Sequence, residues 1–169
     1  MTLRNERVDE IDWAIIVALQ ENARLSMAAL GREVGLSAPA ATERVRRLEQ
    51  QKIIRAYRAE IDLDRVGLNV QAIVRIKAGG HDLDKATRSL CAFPEVFECY
   101  RGTGGDCFVL RIAVSDIKEL QKFLDRIAPF GDLTTSVILS TPLTRKTVRN
   151  HAPDTPSMRS RRSAPRDNA

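Results

Sequence analysis

The chain has 169 residues, 43% hydrophobic and 29% charged, which suits one ordinary domain or two small ones and excludes a fibre or a largely disordered chain. The net charge of +5 is unevenly placed: residues 1–59 carry ten Lys/Arg against eight Asp/Glu, residues 60–141 ten against twelve, and residues 142–169 seven against two. No apolar run approaches the roughly 18 residues of a membrane span, and the charged start lacks the apolar core of a secretory signal, so a cytoplasmic location without a membrane partner is expected.

The first predicted element is a helix, because Val8, Ile11, Ile15, Ile16 and Leu19 recur at helical spacing behind Asp9, a natural N-cap. Ser26 caps a short second helix that carries Leu30 and Val34 inward and stops at Gly35, which readily takes the left-handed conformation of a helix end. Ser37 caps a third helix reaching Gln50, with Pro39 in its first turn, where a missing N–H is harmless, and Ala41, Val45 and Leu48 as its buried stripe. Two short helices joined through Val34-Gly35-Leu36-Ser37 form a helix-turn-helix.

The outward side of the third helix carries the functional signal. Ala40, Glu43, Arg44 and Arg47 face away from the buried stripe, flanked by Thr42 and Arg46. Small residues at the helix start, Ser37, Ala38 and Ala40, permit close approach to a groove of double-stranded DNA, and the arginines suit guanine edges or phosphates. A basic face on an isolated helix usually does no more than solvate it; the turn preceding this one favours DNA contact, with Arg44 and Arg46 divided between base edges and phosphates. Trp13, the only tryptophan, lies beside the first apolar stripe and suits packing against a neighbouring domain or subunit better than base stacking.

Residues 1–59 thus read as a DNA-binding domain and 60–69 as a hinge, with Arg55 to Asp62 a strand or extended connector and Asp64 to Leu68 a short turn. Val70 to Lys77 alternates as a strand, broken by Gly79-Gly80. Leu83, Ala86, Thr87 and Leu90 mark a helix ended by Phe93-Pro94, and the strands Val96 to Arg101 and about Asp106 to Val114 pair as a hairpin. Ile117, Leu120, Phe123, Leu124 and Ile127 mark a helix stopped by Pro129, and Thr134 to Ser140 is a strand rich in β-branched residues. The order βαββαβ over residues 70–149 predicts a ferredoxin-like α+β sandwich whose open sheet face a second copy covers, so a homodimer is expected.

Gly102-Thr103-Gly104-Gly105 runs from strand to strand, whereas a phosphate-binding loop leads into a helix. Two readings stay open: a hairpin turn whose glycines take positive φ, or a close-approach pocket in which Asp106 receives a ligand ammonium group. Cys99 and Cys107, equidistant from Thr103, are placed to face each other across the hairpin as thiols. Neither catalysis, nor a metal, nor a cofactor is expected. There is no Ser/His/acid set, no Cys-x-x-Cys pair, and the histidines, His81 and His151, fall in a loop and in the tail. Residues 150–169 are expected to be a disordered basic tail that either stays solvated or grazes phosphates without sequence preference.

Together these features resemble the leucine-responsive/asparagine-responsive (Lrp/AsnC) family of prokaryotic transcriptional regulators, from about Val8 to Leu143. The likeness rests on Asp9-Glu10-Ile11-Asp12, Gly35-Leu36-Ser37, Arg44-Val45-Arg46-Arg47-Leu48-Glu49 followed by Ile53-Ile54, and the hinge through Gly67-Leu68. It continues in Thr103-Gly104-Gly105-Asp106-Cys107 and Thr134-Thr135-Ser136-Val137-Ile138-Leu139-Ser140. The resemblance implies a regulator rather than an enzyme, which reads a pseudo-palindromic site through helix 37–50 as a dimer or as an octamer built of four dimers. It also implies an amino-acid effector bound near Thr103, Gly104, Gly105 and Asp106 and near Thr134, Thr135 and Ser136. Many members carry Gly-Asp-aromatic-Asp-aromatic after the turn, where this chain has Gly104-Gly105-Asp106-Cys107-Phe108. The competing expectation is an architectural protein that wraps DNA with low sequence specificity and no effector.

Overall fold

A computed structural model describes residues 8–78 and 82–150. The expected break at Gly79-Gly80, His81, and the expected disorder of residues 151–169 lie outside the described residues. The chain divides into two compact units, one running to Arg58 and including the segment from Arg145, the other spanning Ala59–Thr144.

The first unit holds helices α1 (Glu10–Glu21), α2 (Met27–Val34) and α3 (Ala38–Gln50). At the start of α1 the Asp9 carboxylate accepts the Asp12 N–H at 2.8 Å while the Asp12 carboxylate accepts the Asp9 N–H at 3.3 Å, so two otherwise unpaired donors are satisfied reciprocally. Ser26 and Ser37 cap α2 and α3 as expected, and Gly35, at φ 70°, closes α2. Ile15, Ala18, Leu19, Leu30, Val45 and Leu48 form the core where the three helices meet. Gly31 makes the turn between α2 and α3 possible: its carbonyl accepts the Leu36 N–H at 2.7 Å, and a Cβ there would lie 2.6 Å from the Leu36 carbonyl oxygen.

Beyond α3 the stretch from Arg55 to Asp62 is exposed and irregular, not a strand. It leads into a single 3₁₀ turn, Asp64–Val66, and then the second unit: β1 (Val70–Lys77), α4 (Leu83–Cys91), β2 (Val96–Arg101), β3 (Phe108–Val114), α5 (Ile117–Ile127) and β4 (Asp132–Val137). The strands form one antiparallel sheet in the order β2-β3-β1-β4, so the βαββαβ reading holds. Alternate residues of β1 and β3 (Ala72, Val74, Ile76, Phe108, Leu110, Ile112) turn to one face and meet Ala86 and Leu90 of α4 and Leu120, Phe123 and Ile127 of α5 in a closed core. The opposite face exposes Ile73, Phe97 and Tyr100.

Two expectations change. β4 starts two residues earlier and ends three earlier than its β-branched run, because its partner sets its length: Asp132 pairs with Lys77 and Val137 with Ala72. Past that point only the Ile138 N–H reaches back, to the Gln71 carbonyl at 2.9 Å. The β2–β3 register places Arg101 opposite Phe108 and Cys99 opposite Leu110, so the turn is centred between Gly104 and Gly105 rather than on Thr103. Cys99 and Cys107 therefore do not face each other. Cys107 Sγ lies 3.9 Å from the Ala78 carbonyl, while the neighbour of the Cys99 thiol is Cys91, and burial pushes the Cys99 titration up to about 11.

Candidate nucleic-acid interface and ligand loop

The helix-turn-helix is organised around a carboxylate. Asp12 is 1% exposed on α1, on the side that meets α3, and a charge so placed needs cationic partners. Arg44 supplies one, its Nη1 lying 2.9 Å from Asp12 Oδ1 and 2.6 Å from Asp9 Oδ2; Arg47 supplies another, its Nη2 lying 2.6 Å from Asp12 Oδ2. The Arg44 guanidinium hydrogen-bonded to Asp9 is the main reason the Asp9 carboxyl titrates below its ordinary 3.8, and the same contacts raise Arg44 in turn.

This network corrects the expected direction of two arginines. Helical spacing puts Arg44 and Arg47 on the outer face of α3, but both side chains bend back to α1 and are only 27% and 35% exposed. The face that does meet solvent carries Thr42, Glu43 and Arg46, with Arg46 65% exposed and 3.9 Å from Glu43. Thr42 donates its hydroxyl to the Ala38 carbonyl at 2.8 Å, so outward it offers an acceptor oxygen and a methyl group. Ser37 is exposed at the start of the helix, where its oxygen caps the Ala40 N–H at 3.4 Å; Ala38 and Ala40 are half-buried. Asp12 was missed in the sequence as a tie between helices, although its spacing from Asp9 is that of a capping pair.

In the second unit the loop Thr103-Gly104-Gly105-Asp106 projects exposed from the β2–β3 hairpin, with only Gly104 among these glycines at positive φ, 107°. The Asp106 carboxylate lies 3.8 Å from Nε of Arg75 on β1, a cation absent from the sequence-based site. Arg75 is paired across the sheet with Thr134 of β4, so Thr134 neighbours Arg75 on the same sheet face. Ser136 shares the exposed face with Thr134, whereas Thr135, opposite buried Val74, turns toward the helix side. On the same open face Arg111 stacks over Phe97 at 4.9 Å and reaches Gln71 at 3.2 Å and Glu98 at 3.4 Å. Among the described residues no group of three His, Cys, Asp or Glu is placed to hold a metal ion, and no helix is long and apolar enough to cross a membrane.

Fold and geometry define a helix-turn-helix protein with an α+β companion domain. Residues 8–49 match the model of the AsnC-type helix-turn-helix domain and residues 71–148 that of the Lrp/AsnC ligand binding domain. The chain belongs to the Lrp/AsnC family of transcriptional regulators, whose role is not enzymatic. It is 36% identical over 134 residues to the HTH-type transcriptional regulator LrpC of Bacillus subtilis, covering 79% of this chain and 93% of that protein. It is 32% identical over 143 residues to the leucine-responsive regulatory protein of Haemophilus influenzae, covering 80% and 86%. Among solved structures, a transcriptional regulator of Neisseria meningitidis in complex with L-Met superposes with a TM-score of 0.79 at 27% identity, over 84% of this chain and 96% of that one.

Proposed function

We propose that the protein is a cytoplasmic, homo-oligomeric regulator that reads a pseudo-palindromic DNA site through α3 and responds to an amino acid bound at the hairpin loop. The observation that carries the DNA half is the division of labour on α3: Asp12 holds Arg44 and Arg47, leaving Thr42, Glu43 and Arg46 as the exposed ridge. Arg46 pairs with a guanine edge, Glu43 accepts from a cytosine amine, and the Thr42 methyl meets a thymine methyl. Ser37 donates to a phosphate, with Ala38 and Ala40 allowing close approach. Arg44 and Arg47 act through the Asp12 tie, as positioning residues.

Two-fold DNA symmetry follows from a two-fold protein. The open sheet face supports pairing of two copies: it exposes Ile73, Phe97 and Tyr100, and Arg111 Nε is buried there without a hydrogen-bond acceptor among the described residues. Dimers assemble further, to octamers.

The amino-acid half is supported by the methionine-bound neighbour and by the charges at the loop. Asp106 receives the effector's ammonium group and Arg75 its carboxylate, with Thr103, Gly104, Gly105, Thr134 and Ser136 around them, while Thr135, whose side chain turns to the helix side, contributes only backbone. The test is thermal unfolding with each of the twenty amino acids in turn. A ligand at a hundredfold excess over its Kd adds about 2.7 kcal/mol, enough to move the midpoint by several degrees. A selective shift that is lost in both Asp106→Ala and Arg75→Ala is expected; a shift retained in both variants removes the loop from the site, and no shift with any amino acid removes the amino-acid effector.

A further inference from the structure

Between α1 and α2 the helix-turn-helix unit carries a cavity of about 390 Å3 that opens to solvent. Trp13, Ala14 and Val17 of α1 and Val34 of α2 make its lining apolar, and the half-buried Trp13 is the only tryptophan of the chain. Glu10 and Glu33 line it too, and neither carboxylate has a hydrogen bond or an ion pair among the described residues. A further wall is the segment from Arg145, which belongs to this unit. Arg149 of that segment lines the cavity, and Gln20 of α1 fixes the segment by donating to the Val148 carbonyl and accepting the Val148 N–H, both at 2.9 Å. The Arg149 guanidinium is engaged with Glu21 at 3.0 Å, so it does not neutralise Glu10 or Glu33.

We propose that this cavity binds an organic amine with an apolar body, at a site separate from the hairpin loop of the second unit. An apolar lining with a few charged groups is the usual make-up of a small-ligand pocket, the first supplying affinity and the second orientation. The body of the amine covers Val17 and Val34 and meets the face of Trp13, whose ring also attracts a nearby cation. The ammonium group sits at the acidic rim. Glu33 lies in the last turn of α2, where the aligned peptide dipoles already place partial negative charge, so the side chain and the helix end favour a cation together. A carboxylate on the ligand meets the same charges as repulsion, which sets the amine apart from an amino acid with the same side chain.

Because Trp13 is the only tryptophan, its emission reports on this cavity directly. The full protein is titrated with 2-phenylethylamine, 2-phenylethanol and L-phenylalanine, which share one body and differ in charge. A saturable change in Trp13 emission is expected with the amine, at a concentration about fivefold or more below that needed for either of the others. Glu10→Gln and Glu33→Gln, exposed substitutions that remove charge and keep shape, are each expected to weaken the amine about threefold. Ala14→Leu fills the cavity without altering charge and is expected to abolish the response, with the helical circular dichroism of the parent retained. Absence of a saturable change with the amine overturns the proposal. So does equal binding of the alcohol, which would make the cavity a neutral apolar site, and so does equal or tighter binding of L-phenylalanine that Ala14→Leu abolishes, which would make it an amino-acid site. Amine binding that neither glutamate substitution weakens overturns the role of the acidic rim and, with it, the ligand class.

Discussion

Asp12 lies within reach of two arginines that keep part of their surface in water, and this asymmetry sets the cost of removing it. Breaking a fully buried ion pair costs about 3–5 kcal/mol, but Arg44 and Arg47 can turn to solvent once the carboxylate is gone. Asp12→Ala is therefore expected to lower stability by about 1–3 kcal/mol in urea unfolding. A change below about 0.5 kcal/mol, the ordinary surface value, would show that the tie does not hold α3. Asp9 gives a pH signature. Its carboxyl titrates below 3.8 in the folded protein, chiefly because Arg44 hydrogen-bonds to it, so its contribution is present above pH 3.8 and is lost as pH falls through the folded value. Asp9→Asn should flatten the acid limb of the stability profile below about pH 4 and leave its slope near pH 7 untouched; an identical acid limb would contradict the pairing. The sequence showed that Arg44 and Arg47 belong to α3 but not where their side chains end. Helical spacing fixes the direction of a Cβ, whereas a long side chain follows the nearest uncompensated charge, here on another helix.

At the scale of elements, what was legible depended on local signals. The starts of α1, α2 and α3 could be read because Asp9, Ser26 and Ser37 satisfy backbone donors a few residues on, and β1 because its alternation spans eight residues. The end of β4 and the centre of the hairpin could not, since both are set by the register of a partner strand, for β4 the distant β1 and for β2 the adjacent β3. For the same reason Arg75 escaped notice, being one of several exposed residues on β1 until the fold brings the hairpin turn to it. Gly31 is a close-approach site that helical periodicity does not reveal. Gly31→Ala should destabilise the first unit by about 1–3 kcal/mol through the clash with the Leu36 carbonyl, seen as a lowered unfolding midpoint; a neutral or stabilising effect would mean that the turn between α2 and α3 relaxes easily.

For the whole molecule, the open sheet face and the exposed ridge of α3 make separate demands. A charge on the sheet face, as in Ile73→Glu, should shift sedimentation toward smaller species while circular dichroism stays that of the folded protein; an unchanged sedimentation coefficient would place the oligomer contact elsewhere. Sequence-specific reading of DNA through the Thr42, Glu43 and Arg46 ridge is tested by selection of binding sites from a random DNA pool. The full protein is expected to enrich two-fold symmetric sites, and Arg46→Ala to lose the base preference at one position in each half-site, a discrimination of about 1–3 kcal/mol. A pool that stays random with the full protein, or the same sites enriched by Arg46→Ala, would contradict it.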